Sequence, residues 1–377
     1  MKNITYKIFN QTVQMNYDNS EFSAILIDEL NLYPIVTDKE KVDLSIFVNP
    51  KVNIEEQYNF SRNPKEHYFD SDVFGLDFYW GKVFWVFNKN EIYVYPNKYK
   101  YNYLRQSYVL MRDIQFSLPD QAAGQKIHED ILVGNILFRD NMFVLHGSAM
   151  ATKDGRVAMV GGTGGTGKTS TLLSLGQRED IFFVCDDLCV LNDEGKVFVN
   201  YAYPKIYAYN TIGSKNFEKK ILNDDGLFGR FQWNLRKKIN PSKVRRRRNP
   251  HTLYQIMPEE DLNNLKLNTY VILNRDDKVA ELSVEKIDAD KACEMSYYII
   301  RNEMNKFFVP LSYRNLNALY NNSTNQFDPD DIFMAWKQRM STVFEGTSTY
   351  KINIPFHYDN ENLKIEMEKI LCDLIGL

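Results

Sequence analysis

The segment "GGTGGTGKTS" at positions 161–170 gathers five glycines around one lysine, followed by two hydroxyl residues. Gly162, Thr163, Gly164, Gly165, Thr166, Gly167, Lys168 and Thr169 satisfy G-x-x-x-x-G-K-[ST] at every fixed position, and Ser170 follows. Glycines let successive backbone N–H groups turn inward around an anion and leave no Cβ in the way of phosphate oxygens. A helix opening near Lys168 would add the partial positive charge of its N-terminus. In such a loop the lysine reaches the β and γ phosphates and the Thr169 hydroxyl ligates Mg²⁺. The competing reading is a glycine-rich turn with a chance lysine. The complete motif favours binding of a nucleoside triphosphate, with ATP and Mg²⁺ as the expected ligands.

Asp186 and Asp187 end an apolar run eighteen residues after Lys168, which places them at the tip of a strand beside the loop. Adjacent strand residues point to opposite faces, so the two carboxylates are expected to do different work. One would face metal and phosphates, the other the acceptor. A plain polar strand end is the alternative. His146, in "FVLHGSA", ends the preceding strand, and taken alone it reads as a satisfied structural histidine or as a catalyst.

These residues need a strand, a loop, a helix and a second strand in that order. "NMFVLHGSAMATKDGRVAMVGG" reads as two strands joined by a Lys-Asp-Gly turn, then a helix from about 168 to 176, then "IFFVCDDLCVL" as one strand. Residues 119–138 carry apolar positions at helical spacing and predict a helix before this block. Later, "NTYVILN" and "YKINIP" read as strands, and the last segment as an amphipathic helix with Leu363, Met367, Ile370, Leu371 and Leu374 on one face. Residues 3–110 alternate aromatic and β-branched runs with turns, including an Asn-Lys-Asn hairpin connection at 88–90. The chain therefore divides into a β-rich N-terminal module, 1–115, and a nucleotide-binding α/β domain, 116–377.

The 377 residues have ordinary globular composition, with 44% hydrophobic and 25% charged residues and a net charge of −3. That balance gives no global drive toward nucleic acid or anionic membrane, so no membrane or nucleic-acid partner is expected. Four cysteines without CxxC spacing read as reduced, buried thiols. The N-terminus lacks the apolar stretch of a signal peptide, and no run is long enough to span a membrane, so a cytoplasmic location is expected. Basic charge concentrates between 236 and 248, ending in Arg245–Arg248. Three readings apply to it: a solvated loop, a clamp for an anionic acceptor or the transferred phosphate, and a nucleic-acid contact.

Together, "VLHGSAM", "GGTGGTGKTS" and "VCDDLCVL" resemble the catalytic domain of the HPr kinase/phosphorylase family, whose core is shared with ATP-dependent phosphoenolpyruvate carboxykinases. The resemblance covers roughly 130–200. It implies an α/β P-loop kinase core and gives His146, Lys168 and Asp187 the family's active-site positions. Asp187 would be the base for the acceptor hydroxyl, with Asp186 supporting it and sharing the metal with Thr169. It also implies a homo-oligomer. The chain departs from the family after the aspartate pair: the Glu-Ile-Arg-Gly signature is replaced by "YPKIYAYNTIGS", which has no acidic residue. A divergent relative with its own acceptor is expected.

The first functional expectation is thus an ATP-dependent kinase acting on a hydroxyl, on a serine or threonine of a small protein or peptide, or on a small molecule. A carboxykinase-like enzyme on the same core and a nucleotide-gated binding module are the alternatives.

Overall fold

The computed structural model describes residues 1–37, 40–63, 67–70, 72–78, 80–97, 124–135, 141–322 and 328–376. It is a mixed α/β structure in two compact units. One unit comprises 1–109, 118–134 and 304–332, and the other 110–117, 135–303 and 333–377.

The first unit is built on an eight-stranded sheet in the order β1-β2-β3-β8-β7-β6-β5-β4. Its strands are β1 (Lys2–Ile8), β2 (Gln11–Tyr17), β3 (Leu44–Val48), β4 (Ser61–Asn63), β5 (His67–Phe69), β6 (Val73–Phe78), β7 (Gly81–Val86) and β8 (Glu91–Pro96). The expected connection at 88–90 is a single 3-10 turn that closes with Asn90 left-handed, at φ 51°. Helix α1 (Glu21–Leu30), which the aromatic reading of this region passed over, starts where the Ser20 hydroxyl accepts from the Ser23 amide. The helix expected over 119–138 lies partly outside the described residues. Where described, Ile127–Leu132 takes π-type turns, with Val133 N–H donating to the His128 carbonyl.

The second unit carries the sheet β13-β12-β9-β10-β17-β19-β18. Its central hairpin, β9 (Met142–Thr152) and β10 (Arg156–Gly162), is the expected pair of strands, joined through Gly155 at φ 86°. β17 (Lys266–Asp276) and β19 (Ser348–Pro355) extend it in parallel, and β18 (Ser283–Lys286) closes that edge antiparallel. On the other side β9 serves two partners in succession. β11 (Ile181–Cys185) pairs with its C-terminal half, and β12 (Leu188–Asn192) with its N-terminal half. The expectation of one continuous strand through the aspartate pair is corrected here, since Asp187 at φ 71° breaks it in two. β13 (Val197–Phe198) pairs with β12, and β16 (Gln255–Ile256) with β11. A separate two-stranded ribbon joins β14 (Lys205–Tyr207) to β15 (Arg245–Arg247).

Strands buried on both faces explain the long apolar runs: every residue of β9 is buried, as are the last six of β10. Helix α2 (Lys168–Leu175) follows β10 directly. Helices α3 (Lys215–Ile221), α4 (Leu227–Ile239) and α5 (Ala289–Glu303) come next. α6 (Asn305–Tyr320) and α7 (Pro329–Glu345) precede the last helix, α8 (Asn360–Ile375), which docks on α2 through Ser174 Oγ donating to Glu368 at 2.8 Å. On α8, Leu363, Met367 and Leu371 are fully buried, as the apolar spacing predicts, while Ile370 and Leu374 lie at the margin.

Gly147 makes this packing possible, because a Cβ there would sit 2.5 Å from the Val160 carbonyl oxygen of β10. Gly147→Ala is expected to cost about 1–3 kcal/mol of stability through the forced backbone shift. Urea denaturation of the two proteins measures it, and an unchanged midpoint would remove the steric account.

Candidate active site

The break between β11 and β12 sets the site. Leu188 N–H donates to the Asp186 carbonyl and Gly147 N–H to the Asp187 carbonyl, so the two aspartates form a kink held against β9. In the neighbouring register Gly147 lies opposite Gly161 of β10. The carboxylates, His146, Ser148 and the start of the glycine loop therefore meet at one place. The different environments expected for the two aspartates are found, but the left-handed turn at Asp187 produces them rather than strand alternation.

The loop from 162 to 168 runs from the end of β10 into α2. Gly165 and Gly167 take φ of 81° and 116°, conformations in which a side chain would be strained. Gly167 is the residue that caps α2, so Lys168 and Thr169 open the helix. A Cβ on Gly164 or Gly165 would meet nothing within 4 Å, while one on Gly162 would lie 2.9 Å from the Leu273 carbonyl. The loop is thus walled by β17 on its inner side and open on its outer side. Thr166 Oγ1 donates to the Thr163 carbonyl at 2.9 Å and holds the turn. Lys168 is buried, and its ammonium donates to the carbonyls of Gly162 and Thr163 at 2.8 and 2.9 Å. Burial pulls its pKa below the ordinary range, against the opposing pull of Asp187, Asp186 and Glu303. Ser170 is buried, and its hydroxyl accepts from Asn210 Nδ2 at 2.8 Å.

Asp186 is buried and takes hydrogen bonds from Ser148 Oγ at 2.5 Å and from Thr169 Oγ1 at 3.3 Å. Burial, reinforced by the negative charge of Asp187, raises its carboxyl to about 6, and the Ser148 hydroxyl pulls the other way. Asp187 is more open and pairs with Lys205 Nζ at 2.8 Å. Burial pushes it upward too, but Lys205 together with His146 and Lys168 outweighs this and holds it at about 2. His146 is buried, with Nε2 3.8 Å from the Glu303 carboxylate and no hydrogen bond to Nδ1. Burial, followed by the Lys168 charge, lowers its pKa, so the imidazole is neutral at neutral pH.

Among the described residues no group of three or more His, Cys, Asp and Glu side chains converges to hold a metal ion. Thr169 and Asp186 supply one hydroxyl and one carboxylate oxygen close together. That suits Mg²⁺, which is held by one or two carboxylates with substrate phosphates and water completing its shell.

Ser148, Lys205 and Glu303 join the residues singled out from sequence. Ser148 had a signal, since it lies two positions beyond His146 in the same strand and shares its face. Lys205 and Glu303 had none, because only the fold brings them near.

The basic run is not a solvated loop. Arg246 and Arg248 are buried and share Asp225, at 2.8 and 2.6 Å, while Arg246 lies over the Trp233 ring. Arg245 and Arg247 alternate to the other face of the strand, where Arg247 is also buried, over the Tyr203 ring. In the ribbon register Arg247 sits opposite Lys205 and Arg245 opposite Tyr207, whose hydroxyl accepts from Arg245 Nη1 at 3.0 Å. One face of β15 thus anchors the ribbon, and the other shares its side with the lysine that touches Asp187.

Comparison with known proteins adds little. No family model matches the chain, and no curated protein matches it. Among solved structures, the Hpr(Ser) kinase/phosphatase from Coxiella burnetii is similar at a TM-score of 0.24 and 12% identity, over 62% of this chain and 95% of that one. A likeness of that size supports no argument about fold or activity. Among the described residues no helix is long and apolar enough to cross a membrane.

Two measurements check this electrostatic picture. In a carboxyl-carbon NMR titration Asp186 is expected to titrate near about 6 and Asp187 near about 2, and Ser148→Ala should move the Asp186 midpoint upward because a stabilising donor is lost. Two ordinary aspartate titrations would sink it. Asp225→Ala strands two buried guanidinium groups and is expected to destabilise the protein by about 3–5 kcal/mol, read by denaturant titration.

Proposed function

We propose that this chain is an ATP-dependent kinase that transfers the γ-phosphate to a hydroxyl acceptor, a serine or threonine of a small protein or peptide in the first instance. The observation that carries the reading is the meeting of the Thr169 hydroxyl, at the start of α2, with the buried Asp186 carboxylate at 3.3 Å, one residue from a second carboxylate in a different environment. The resemblance of the three motifs to HPr kinase/phosphorylase supports the same class of reaction.

The residues divide the work. The amides of 162–168 and the N-terminus of α2 hold phosphate oxygens, and the Lys168 ammonium leaves its two carbonyl partners to take the β and γ phosphates. Thr169 and Asp186 would hold Mg²⁺, which when bound neutralises charge on the phosphates. Ser148 keeps Asp186 oriented and favours its ionised form. Asp187 accepts a hydrogen bond from the attacking hydroxyl, orients it, and takes its proton late, as the new bond to phosphorus forms and the bond to ADP breaks.

A carboxylate held at about 2 is a weak base, so orientation outweighs early proton removal. This suits a loose phosphoryl transition state, in which the protein contributes mostly positioning and charge stabilisation. Lys205 and the half-buried Arg245 stand on the same face of the ribbon, which suits an acceptor bearing an anionic group near its hydroxyl.

Transfer from γ-labelled ATP to fractionated acceptors tests the assignment. Lys168→Ala should abolish turnover. Asp187→Asn should retain nucleotide binding and lose about 10²-fold in transfer, the cost of a misplaced nucleophile. Full transfer by Asp187→Asn would strike that residue from its role. In Lys205→Met both carboxyls lose a depressing charge, so the acid limb of the kcat profile, set by ionisation of Asp186 near pH 6, moves to higher pH.

A further inference from the structure

Helix α4 is amphipathic in the reverse sense. Leu227, Phe228, Phe231, Leu235 and Ile239 are 51–88% exposed. At 100° per residue they fall within about 120° of arc on one side of the helix. The opposite side is tied to the protein body by polar groups. Trp233 Nε1 and Lys237 Nζ both donate to Glu218 Oε1, at 2.7 and 2.8 Å, and Arg230 Nε donates to the carbonyls of Leu222 and Asp225. Arg246 Nη2 donates to the Gly229 carbonyl. The outward apolar stripe is therefore held in place by the fold, and no described residue covers it.

Charge decides among possible occupants. The sequence of α4 contains Arg230, Arg236, Lys237 and Lys238 and no acidic residue. In sequence, exposed Lys219, Lys220 and Lys243 flank it, against one exposed acid, Asp224, three residues before its start. Pairing two copies of this helix would oppose like charges along its length. The stripe is also a straight ridge about 20 Å long rather than a groove. A ridge of Leu, Phe and Ile that carries Lys238 within its own arc, on a helix with no acidic residue, is the pattern of a helix that lies in the plane of an anionic lipid surface, the lysine snorkelling to the headgroups.

We infer that α4 docks the protein on membranes bearing anionic headgroups, with Phe228, Phe231 and Leu235 entering the acyl boundary and the exposed Lys238 on the same face reaching back to the headgroups. The overall charge of −3 argued for no membrane partner, but a local basic patch acts within a Debye length and is not cancelled by distant acids. The inference is independent of the kinase assignment.

Sedimentation of the full chain with phosphatidylcholine vesicles, with and without phosphatidylserine, tests it. Binding is expected only with phosphatidylserine, falling as salt rises. Phe231→Ser combined with Leu235→Ser should weaken it at least about tenfold, with unchanged near-ultraviolet circular dichroism because both side chains are exposed. Lys238→Glu should weaken it most at low salt. Absence of binding, equal binding to neutral vesicles, or unchanged binding by the variants overturns the inference. So does self-association in sedimentation velocity, or capture of an acidic protein without vesicle binding, when the double variant abolishes it.

Discussion

The site depends on one constraint: β9 must satisfy two strands along a single edge. Because β11 and β12 both hydrogen-bond to it, the chain between them has to kink opposite His146–Ser148, and the kink consists of Asp186 and Asp187. Aspartate is one of the few side chains that tolerates the left-handed region, so the residue that carries charge also allows the turn. The register of β9 with β10 then fixes the distance from the kink to the glycine loop without any further device.

That arrangement explains how two neighbouring carboxylates acquire opposite tendencies. Asp186 is turned inward to Ser148 and Thr169, where burial favours its neutral form. Asp187 is turned toward Lys205, where a cation favours the charged form. Environments that drive paired titratable groups apart are characteristic of sites doing proton or metal chemistry. Here the ribbon that supplies Lys205 is itself braced by a buried Arg246–Asp225–Arg248 cluster, so the lysine sits on a rigid arm.

Much of this was legible in the sequence, and the losses have physical reasons. The β9–β10 hairpin, the glycine loop and α2 are local features, each signalled by residues within a few positions. The kink was hidden because apolar residues continue on both sides of the aspartates, and hydrophobic pattern alone does not register a φ reversal. The arginine run was ambiguous because its counter-charge, Asp225, lies 21 and 23 residues away from the two arginines that bury against it. Lys205 and Glu303 became visible only with the fold. The apolar residues of α4 have helical spacing, but spacing does not say which side of a helix faces the protein.

The short turn at Gly155 has a further consequence for assembly of the sheet. β9, β10, β11 and β12 lie within 142–192, so their mutual pairing closes only short loops. β17 reaches β10 from more than a hundred residues downstream, with β19 adding to its far edge, and its pairing carries a larger closure entropy. The aspartate kink and the glycine loop can therefore take shape on a growing chain before β17, the strand that walls the loop, has been synthesised.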